Sequence, residues 1–272
     1  MAWKAYQVTF RLLSPMHVGW RKLGNLQQTR PYVTGRSLWG ALTARLTRES
    51  GRKDYNDVGG DVDKQLAFTY FYPSTERDRI TLWPWSGEQW DKFAWMFLGS
   101  YASTSLENGR NAEEGSLHET EFIAPYTRNR ASVYLVGYIF EKEDYSIKPY
   151  WQDVLNKLQL GGERSYGWGR VRLAEPCKPI TNNECLGYKL NCKEDSPVLT
   201  APKDLQLLAH SETEGDSNSQ RGAIEPLLGR ITNADTGFGR RFSDPKICWV
   251  PGGQVKEGES FQITEKGIWK PL

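Results

Sequence analysis

The chain has 272 residues, of which 38% are hydrophobic and 12% aromatic, so it can bury the core of one large domain or two small ones. Its formal net charge is only +2, which excludes a uniformly basic protein that binds nucleic acid indiscriminately. No stretch approaches the roughly 18 apolar residues of a membrane-spanning helix. The N-terminus also lacks the apolar core of a signal peptide. These features predict a cytoplasmic protein with no membrane partner.

The four cysteines, Cys177, Cys185, Cys192 and Cys248, include no Cys-x-x-Cys pair. Their number is too small for a disulfide scaffold, and their spacing is poor for zinc. We therefore predict reduced thiols, with no metal site and no cofactor.

The first predicted element is a strand over residues 3–13, because apolar residues alternate with polar or small ones from Tyr6 to Leu12. A basic loop with glycines follows up to Pro31. A helix is then predicted to begin at a Thr34 or Ser37 cap. The remaining elements are predicted as a surface loop at 51–63, strands at 65–73 and 79–85, a helix at 87–97, a loop or hairpin tip at 103–116, strands at 117–125 and 133–141, a helix at 150–160 and a strand at 170–173.

The order of these elements is that of a β-α-β-β-α-β domain, so the predicted fold class is α+β, with a ferredoxin-like (RRM-like) domain that carries insertions. This domain is assigned to residues 1–175. After Pro176 the helical periodicity fades and short strand-like pieces dominate. Residues 176–272 are therefore predicted to form a β-rich second lobe.

The charge distribution is uneven along the chain. No Asp or Glu precedes Glu49, although this part of the chain carries several basic residues: Lys4, Arg11, Arg21, Lys22, Arg30, Arg36, Arg45 and Arg48. Such asymmetry is typical either of a local phosphate-binding face or of a solvated charged surface.

The most informative motif is the glycine-rich loop at 161–169, GGERSYGWG, followed by Arg170. Glycine has no Cβ, so backbone amides can approach a phosphate closely, while arginine and aromatic side chains supply charge and stacking surfaces. Glycine loops are also common as simple turns. Arg164, Trp168 and Arg170 favour a ligand site here.

Three segments together resemble the RAMP superfamily of CRISPR-associated RNA-binding proteins. The first is Ser-Pro-x-His-x-Gly at 14–19 with Arg-Pro-Tyr-x-x-Gly-x-Ser-Leu-x-Gly-Ala at 30–41. The second, residues 109–123, is similar to the protruding thumb hairpin of such proteins, and the third is the glycine-rich loop. The resemblance covers most of residues 1–173.

The resemblance implies a subunit of a type III effector ribonucleoprotein, with guide (CRISPR) RNA, other RAMP subunits and a large signalling subunit as partners. Backbone subunits that cut target RNA carry an aspartate after the His-x-Gly segment, whereas residues 20–30 contain no acid. Guide-processing members use a histidine expected in the first helix, but the histidines here are His17, His118 and His210. The best match is therefore the non-catalytic subunit that grips the repeat-derived 5′ handle of the guide.

The RNA-binding residues implied by this role lie in two walls, with a weaker group beside the thumb. The predicted residues are His17, Arg21, Lys22, Arg30, Arg36 and Ser37 for the first wall, Gly162, Arg164, Tyr166, Gly167, Trp168 and Arg170 for the second, and Arg128 and Arg130 for the weaker group. Three alternatives remain open at this point. They are a repeating backbone subunit, a metal-independent repeat endoribonuclease using His17 or His118, and a scaffold that binds only protein.

Overall fold

The structure is a computed structural model that describes residues 2–52, 54–82, 90–107, 111–193, 195–202, 205–213, 220–233, 237–264 and 266–272. The helices are α1 (Gly35–Ser50), α2 (Tyr55–Gln65), α3 (Trp90–Phe97) and α4 (Trp151–Val154). Strands before residue 175 are β1 (Trp3–Leu12), β2 (Gly19–Leu23), β3 (Leu26–Thr29), β4 (Leu66–Phe68), β5 (Tyr72–Ser74), β6 (Leu98–Ser103), β7 (His118–Ile123), β8 (Tyr134–Lys142) and β9 (Val171–Leu173).

The later part of the chain is built from strands. They are β10 (Lys178–Pro179), β11 (Glu184–Cys185), β12 (Tyr188–Asn191), β13 (Val198–Thr200), β14 (Ser211–Glu212), β15 (Gln220–Arg221), β16 (Ile224–Leu227), β17 (Arg230–Asn233), β18 (Gly237–Phe242), β19 (Lys246–Trp249), β20 (Gln254–Val255), β21 (Ser260–Ile263) and β22 (Trp269–Pro271). Eight of them form one sheet in the order β11-β12-β13-β21-β22-β14-β19-β16.

The first sheet has the ferredoxin-like arrangement. β1 pairs antiparallel with β9 on one side and with β8 on the other, and β8 pairs with both β4 and β5. With α1 after β1 and α4 after β8, this is the β-α-β-β-α-β fold that the sequence predicts. The α+β prediction is therefore confirmed. The domain boundary at residue 175 stays a prediction. The strand β10, which follows that boundary, pairs with β1 of the first sheet.

Both faces of this sheet pack against other parts of the protein. Even-numbered residues of β1, such as Val8 and Phe10, join a core with the helices. Trp3 and Ala5, at the start of β1, join a second core with residues of the later strands, including Phe261 and Trp269. Side chains alternate between the two faces of a strand, so the β-rich lobe covers one end of the face opposite the helices.

Two hairpins, β2-β3 and the inserted hairpin β6-β7, form a separate four-stranded sheet in the order β2-β3-β7-β6, which we call the inserted sheet. β6 and β7 are antiparallel neighbours from Leu98 and Ile123 to Ser103 and His118. Residues 104–107 and 111–117 connect them, and this agrees with the hairpin tip predicted at 103–116. Residues 108–110 of that prediction lie outside the described residues.

Four local predictions were wrong. The basic loop predicted up to Pro31 contains the paired strands β2 and β3. Residues 55–63 of the surface loop predicted at 51–63 lie in α2, since Asp54 caps the helix and Val58 and Val62 are buried one turn apart. The adjacent Gly59 and Gly60 concealed that helical pattern. The helix predicted at 150–160 ends as a short 3-10 turn at Lys157. Residues 79–82 of the predicted strand 79–85 are not in a strand, and 83–85 lie outside the described residues.

A buried polar network joins the two parts of the chain. Tyr70 Oη lies 2.6 Å from His210 Nδ1, and His210 Nε2 lies 2.7 Å from Glu225 Oε1. Arg30 Nη2 lies 2.7 Å from the same carboxylate oxygen, and Trp20 Nε1 donates to Glu225 Oε2 at 3.2 Å. Glu225 therefore accepts from three side chains, two of which come from the segment before α1.

This network makes the lobe contact sensitive to acid. Burial lowers the pKa of His210 more than its hydrogen bond to Glu225 raises it. Burial would raise the pKa of Glu225, but His210 and Arg30 outweigh it and lower that pKa to about 2. Both folded-state pKa values lie below the unfolded ones, so the unfolded chain binds more protons as the pH falls.

We expect the free energy of unfolding to decrease as the pH falls below about 6.5 through His210. It should decrease again below pH 4.5 through Glu225, because the pKa of this carboxyl is lowered from that value in the folded protein. Thermal unfolding between pH 7 and pH 5 measures the first step, because histidine is the side chain that ordinarily titrates there. A His210→Gln variant should lose most of this step, and His118→Gln should keep it. An equal pH dependence in both variants would assign the step to another group.

Within the described ranges, no helix is both long and apolar enough to cross a membrane. In the same ranges, no group of three or more His, Cys, Asp or Glu side chains is placed to hold a metal ion. The four cysteines are free thiols.

Candidate nucleic-acid interface

The glycine-rich loop is docked through its backbone onto the segment that follows β1. Gly162 N–H donates to the carbonyl of His17 at 2.8 Å, and Gly169 N–H donates to the carbonyl of Pro15 at 2.7 Å. At the end of the loop, Arg170 N–H donates to Ser14 Oγ at 2.9 Å. The two segments that carry the sequence resemblance are therefore parts of one structural unit.

Two of the loop glycines are required by close backbone approaches. Gly161 has φ +79°, and a Cβ there would overlap the carbonyl oxygen of His17. Gly169 has φ +77°, and a Cβ there would overlap the carbonyl of Leu160. Any L-side chain at either position meets both backbone strain and a steric clash. These two glycines therefore fix the path of the loop.

A side chain outside the loop also holds its shape. Gln159 Nε2 donates to the carbonyl of Trp168 at 2.7 Å and to that of Arg164 at 2.9 Å. No local sequence signal indicates this role, since Gln159 lies in a predicted helix. By satisfying two carbonyls, Gln159 ties both ends of the central turn together.

His17 lies underneath the loop. Its side chain is only 7% exposed, and Nδ1 lies 2.8 Å from the carbonyl oxygen of Glu121 in β7. Gly162, predicted beside it, packs close to the imidazole, because a Cβ there would lie 3.4 Å from His17 Cδ2. This geometry joins the loop, the segment after β1 and the inserted sheet.

The charged and aromatic side chains of the loop divide into two groups. Arg164, Tyr166 and Arg170 are exposed, and Tyr166 is 79% exposed. Gly167, at φ +82°, has no heavy atom within 4 Å of a hypothetical Cβ. Two cations and one ring therefore face solvent around an open turn.

Trp168 instead packs on the inserted sheet. Its ring is edge-on to Phe122, with centroids 5.2 Å apart, and to Tyr101 at 6.5 Å. Trp168 is half-buried and Tyr101 is 60% exposed. This aromatic cluster attaches the loop to β6 and β7.

Arg21 and Lys22 are exposed on β2, which is the edge strand at the other side of that sheet from β6. The Arg21 guanidinium lies 4.2 Å from the ring centroid of Trp20, and Nε donates to Gln28 Oε1 at 2.7 Å. Arg21 is therefore held over an aromatic ring while its side chain stays exposed.

Arg30, Arg36 and Ser37 lie where α1 meets the β-rich lobe. Arg30 is 8% exposed and paired with Glu225. Arg36 is half-buried, and its guanidinium donates to Ser243 Oγ at 3.1 Å and to the carbonyl of Gly229 at 3.3 Å. Ser37 Oγ lies 3.0 Å from Thr34 Oγ1 at the start of the helix. All three side chains therefore have protein partners.

Tyr55, at the start of α2, donates to the carbonyl of Gly40 in α1 at 3.4 Å and packs edge-on against Trp39. Burial raises the pKa of Tyr55, and the positive charges of Arg164 and Arg36 oppose that rise. The phenol therefore interacts electrostatically with both guanidinium groups. Sequence reasoning missed Tyr55 because it lay in a predicted surface loop.

Arg128 and Arg130 are exposed in the turn between Tyr126 and Ser132, which form an isolated β-bridge. Arg130 has φ +63°, and Arg128 Nε donates to the carbonyl of Trp95 at 3.3 Å. This turn lies at the entrance to β8 and not in the glycine loop.

The protein is an α+β protein of a recognisable class. It combines a ferredoxin-like sheet, an inserted hairpin and a glycine loop that folds onto the first strand-to-helix connection. A family model of the RAMP superfamily matches residues 9–172, which is more than half of the chain. The chain therefore belongs to the RAMP superfamily. None of the curated proteins matches it.

Similar solved chains come from cryo-EM structures of the Type III-B Cmr-beta. One, bound to cognate target RNA and AMPPnP, has a TM-score of 0.52 at 14% identity, over 92% of this chain and 86% of that chain. Another, bound to cognate target RNA, has a TM-score of 0.44 at 16% identity, over 66% of this chain and 61% of that chain. This chain thus spans about three fifths of the latter's length. The similarity with a TM-score of 0.52 supports the fold described above.

Proposed function

We propose that this chain is a guide-RNA-binding subunit of a type III CRISPR effector ribonucleoprotein. The single observation that carries the proposal is the docked glycine loop, which presents Arg164, Tyr166 and Arg170 to solvent while its backbone is fixed on the segment after β1. Membership of the RAMP superfamily supports the same class of ligand.

Within that complex we assign the chain to the repeat-derived 5′ handle of the guide. Single-stranded RNA is held by cations on its phosphates and by aromatic rings under its bases. Arg164 and Arg170 would contact phosphates, and Tyr166 would stack on a base. Gly162 and Gly167 leave room for the backbone of the RNA, and Arg21 and Lys22 extend the positive surface along the inserted sheet.

The remaining predicted residues take supporting roles in this proposal. His17 and Trp168 position the loop, because His17 is buried beneath it and Trp168 packs on the inserted sheet. Arg30 and Arg36 fix the start of α1 against the β-rich lobe, Ser37 stabilises the start of the helix with Thr34, and Arg36 adds positive potential. Arg128 and Arg130 are more distant contacts. The proposed role is binding and requires no catalytic group from this chain.

The partners follow from the same proposal. A subunit at the end of a guide must contact neighbouring RAMP subunits and a large signalling subunit. Exposed apolar side chains of the inserted hairpin, such as Leu106 (65% exposed) and Leu117 (57% exposed), suit a protein contact. We assign the hairpin tip to that contact.

The test is a double variant, Arg164→Ala/Arg170→Ala, in the tagged protein expressed in its native cell. We expect guide RNA recovered per protein to fall roughly tenfold or more, because the variant removes two charge-assisted hydrogen bonds to phosphates. The control Lys189→Ala/Lys270→Ala removes the same charge from exposed strand positions of the β-rich lobe and should retain RNA. Equal recovery from both variants would contradict the role of the loop.

A further inference from the structure

Three strands of the first sheet bring an aromatic ring and two arginines into one row. The register places Tyr134 of β8 directly opposite Arg11 of β1, and Arg11 directly opposite Arg172 of β9. Directly opposed residues of antiparallel strands project from the same face of a sheet. Because Phe10 and Leu12 point into the helical core, this row lies on the opposite face.

The β-rich lobe covers the other end of this face. Its core reaches Trp3 and Ala5 at the start of β1, while Arg172, at the end where the row lies, is exposed, and Arg11 and Tyr134 are half-exposed. Two further contacts beside the row each pair an arginine with an aromatic ring. Arg11 lies 5.9 Å from the ring centroid of Tyr126, and Arg77 lies 5.5 Å from that of Tyr134.

The two arginines of this row have no acidic partner in the part of the chain that the structure describes. Among the described residues, neither Arg11 nor Arg172 forms an ion pair, although like charges directly opposite each other destabilise a sheet. Arg11 Nε is also buried without a hydrogen-bond partner. Two opposed cations without an acidic partner are the features of a site that an anion completes.

The row continues from the glycine loop. Arg170 ends the loop at an isolated bridge just before β9 and precedes Arg172 by two residues, so the alternation of an extended chain favours the same face for both side chains. On the other side, Tyr126 leads into the turn that carries Arg128 and Arg130. A chain leaving the glycine loop past Arg170 therefore meets Arg172 and Arg11 next, and then Tyr134.

We propose that single-stranded RNA leaving the glycine loop crosses this sheet face, with its phosphates on Arg11, Arg77 and Arg172 and a base stacked on the exposed ring of Tyr126. The inference rests on the proposed function and extends the binding site by one surface. Alternation of arginine and aromatic side chains is typical of single-strand binding surfaces, because the rings tolerate any base and the cations follow the phosphates.

The test compares the full chain with a variant, Arg77→Gln/Arg172→Gln, whose two arginines are exposed. Binding of labelled guide RNA is measured over a range of salt concentrations. We expect roughly tenfold weaker binding at physiological salt, with the salt slope reduced by about 0.7 for each phosphate that the variant no longer neutralises. The matched control, Lys189→Gln/Lys270→Gln, should bind like the wild type.

A shortened RNA that carries only the handle separates the two sites. It should bind the wild type and the Arg77→Gln/Arg172→Gln variant equally, and it should still bind Arg164→Ala/Arg170→Ala poorly. Wild-type affinity of the sheet variant for the full guide, together with a defect in the loop variant, would overturn this inference and leave the proposed function standing. Loss of a partner protein with RNA retained would also overturn it, because the face would then be a protein-binding surface. Absence of RNA binding by the wild type would remove the proposed function itself.

Discussion

Gly169→Ala is expected to displace the glycine loop and to abolish most RNA retention. The new methyl group would overlap the carbonyl of Leu160, at a residue whose φ of +77° already disfavours alanine. Strain and overlap together should cost about 2–5 kcal/mol, and the loop can relieve that cost by leaving its site on Pro15. Unfolding by denaturant and recovery of bound RNA measure the two consequences.

The same loop supplies graded controls. Gly162→Ala meets only an ordinary contact at 3.4 Å, so its unfolding free energy should change by less than about 0.5 kcal/mol. Gly167→Ala has φ +82° but open space, so it should cost about 1–2 kcal/mol of backbone strain alone. An equal loss of stability in all three variants would contradict a role for the carbonyl overlap.

Glu225→Gln is expected to produce the other large loss, where the first sheet meets the β-rich lobe. The substitution keeps the shape of the side chain but leaves the buried Arg30 guanidinium without its negative partner. Unpaired buried charges cost about 3–5 kcal/mol. Because the side chain of Glu225 is 20% exposed, we expect about 2–4 kcal/mol in the free energy of unfolding.

A second substitution identifies the cause. Arg30→Met/Glu225→Gln removes the unpaired charge, so it should recover more than half of the loss. Asp61→Asn breaks the more exposed pair with Arg52 and should cost about 0.2–1 kcal/mol. If the double variant were no more stable than Glu225→Gln, the loss would come from the hydrogen bonds to His210 and Trp20 instead.

The general fold was predictable from local patterns. Alternation in β1, the Thr34 cap of α1 and the apolar run of β8 each determine one element, and their order suffices to predict the ferredoxin-like sheet. α2 was missed because Gly59 and Gly60 lower helix propensity, and packing against α1 outweighs that cost. Propensity is a local quantity, whereas the burial of Val58 and Val62 depends on the tertiary fold.

The sequence was sufficient to predict which motif forms the candidate site, but not which residues contact one another there. Composition marked Arg164, Tyr166 and Arg170, and the structure places these three side chains in solvent. No local signal shows that Arg30 pairs with Glu225, because the partner lies far along the chain and is brought close by the β-rich lobe. The row of Tyr134, Arg11 and Arg172 depends on the register of three strands, which composition does not specify.

The central claim is that the glycine loop holds guide RNA at its repeat-derived end. The most direct measurement is sequencing of the RNA that co-purifies with the tagged full-length chain from its native cell. We predict guide RNAs that share one repeat-derived 5′ end, recovered together with larger partner proteins. Recovery of the protein without RNA, or with RNAs that share no end, would contradict this account and would make the loop a structural element.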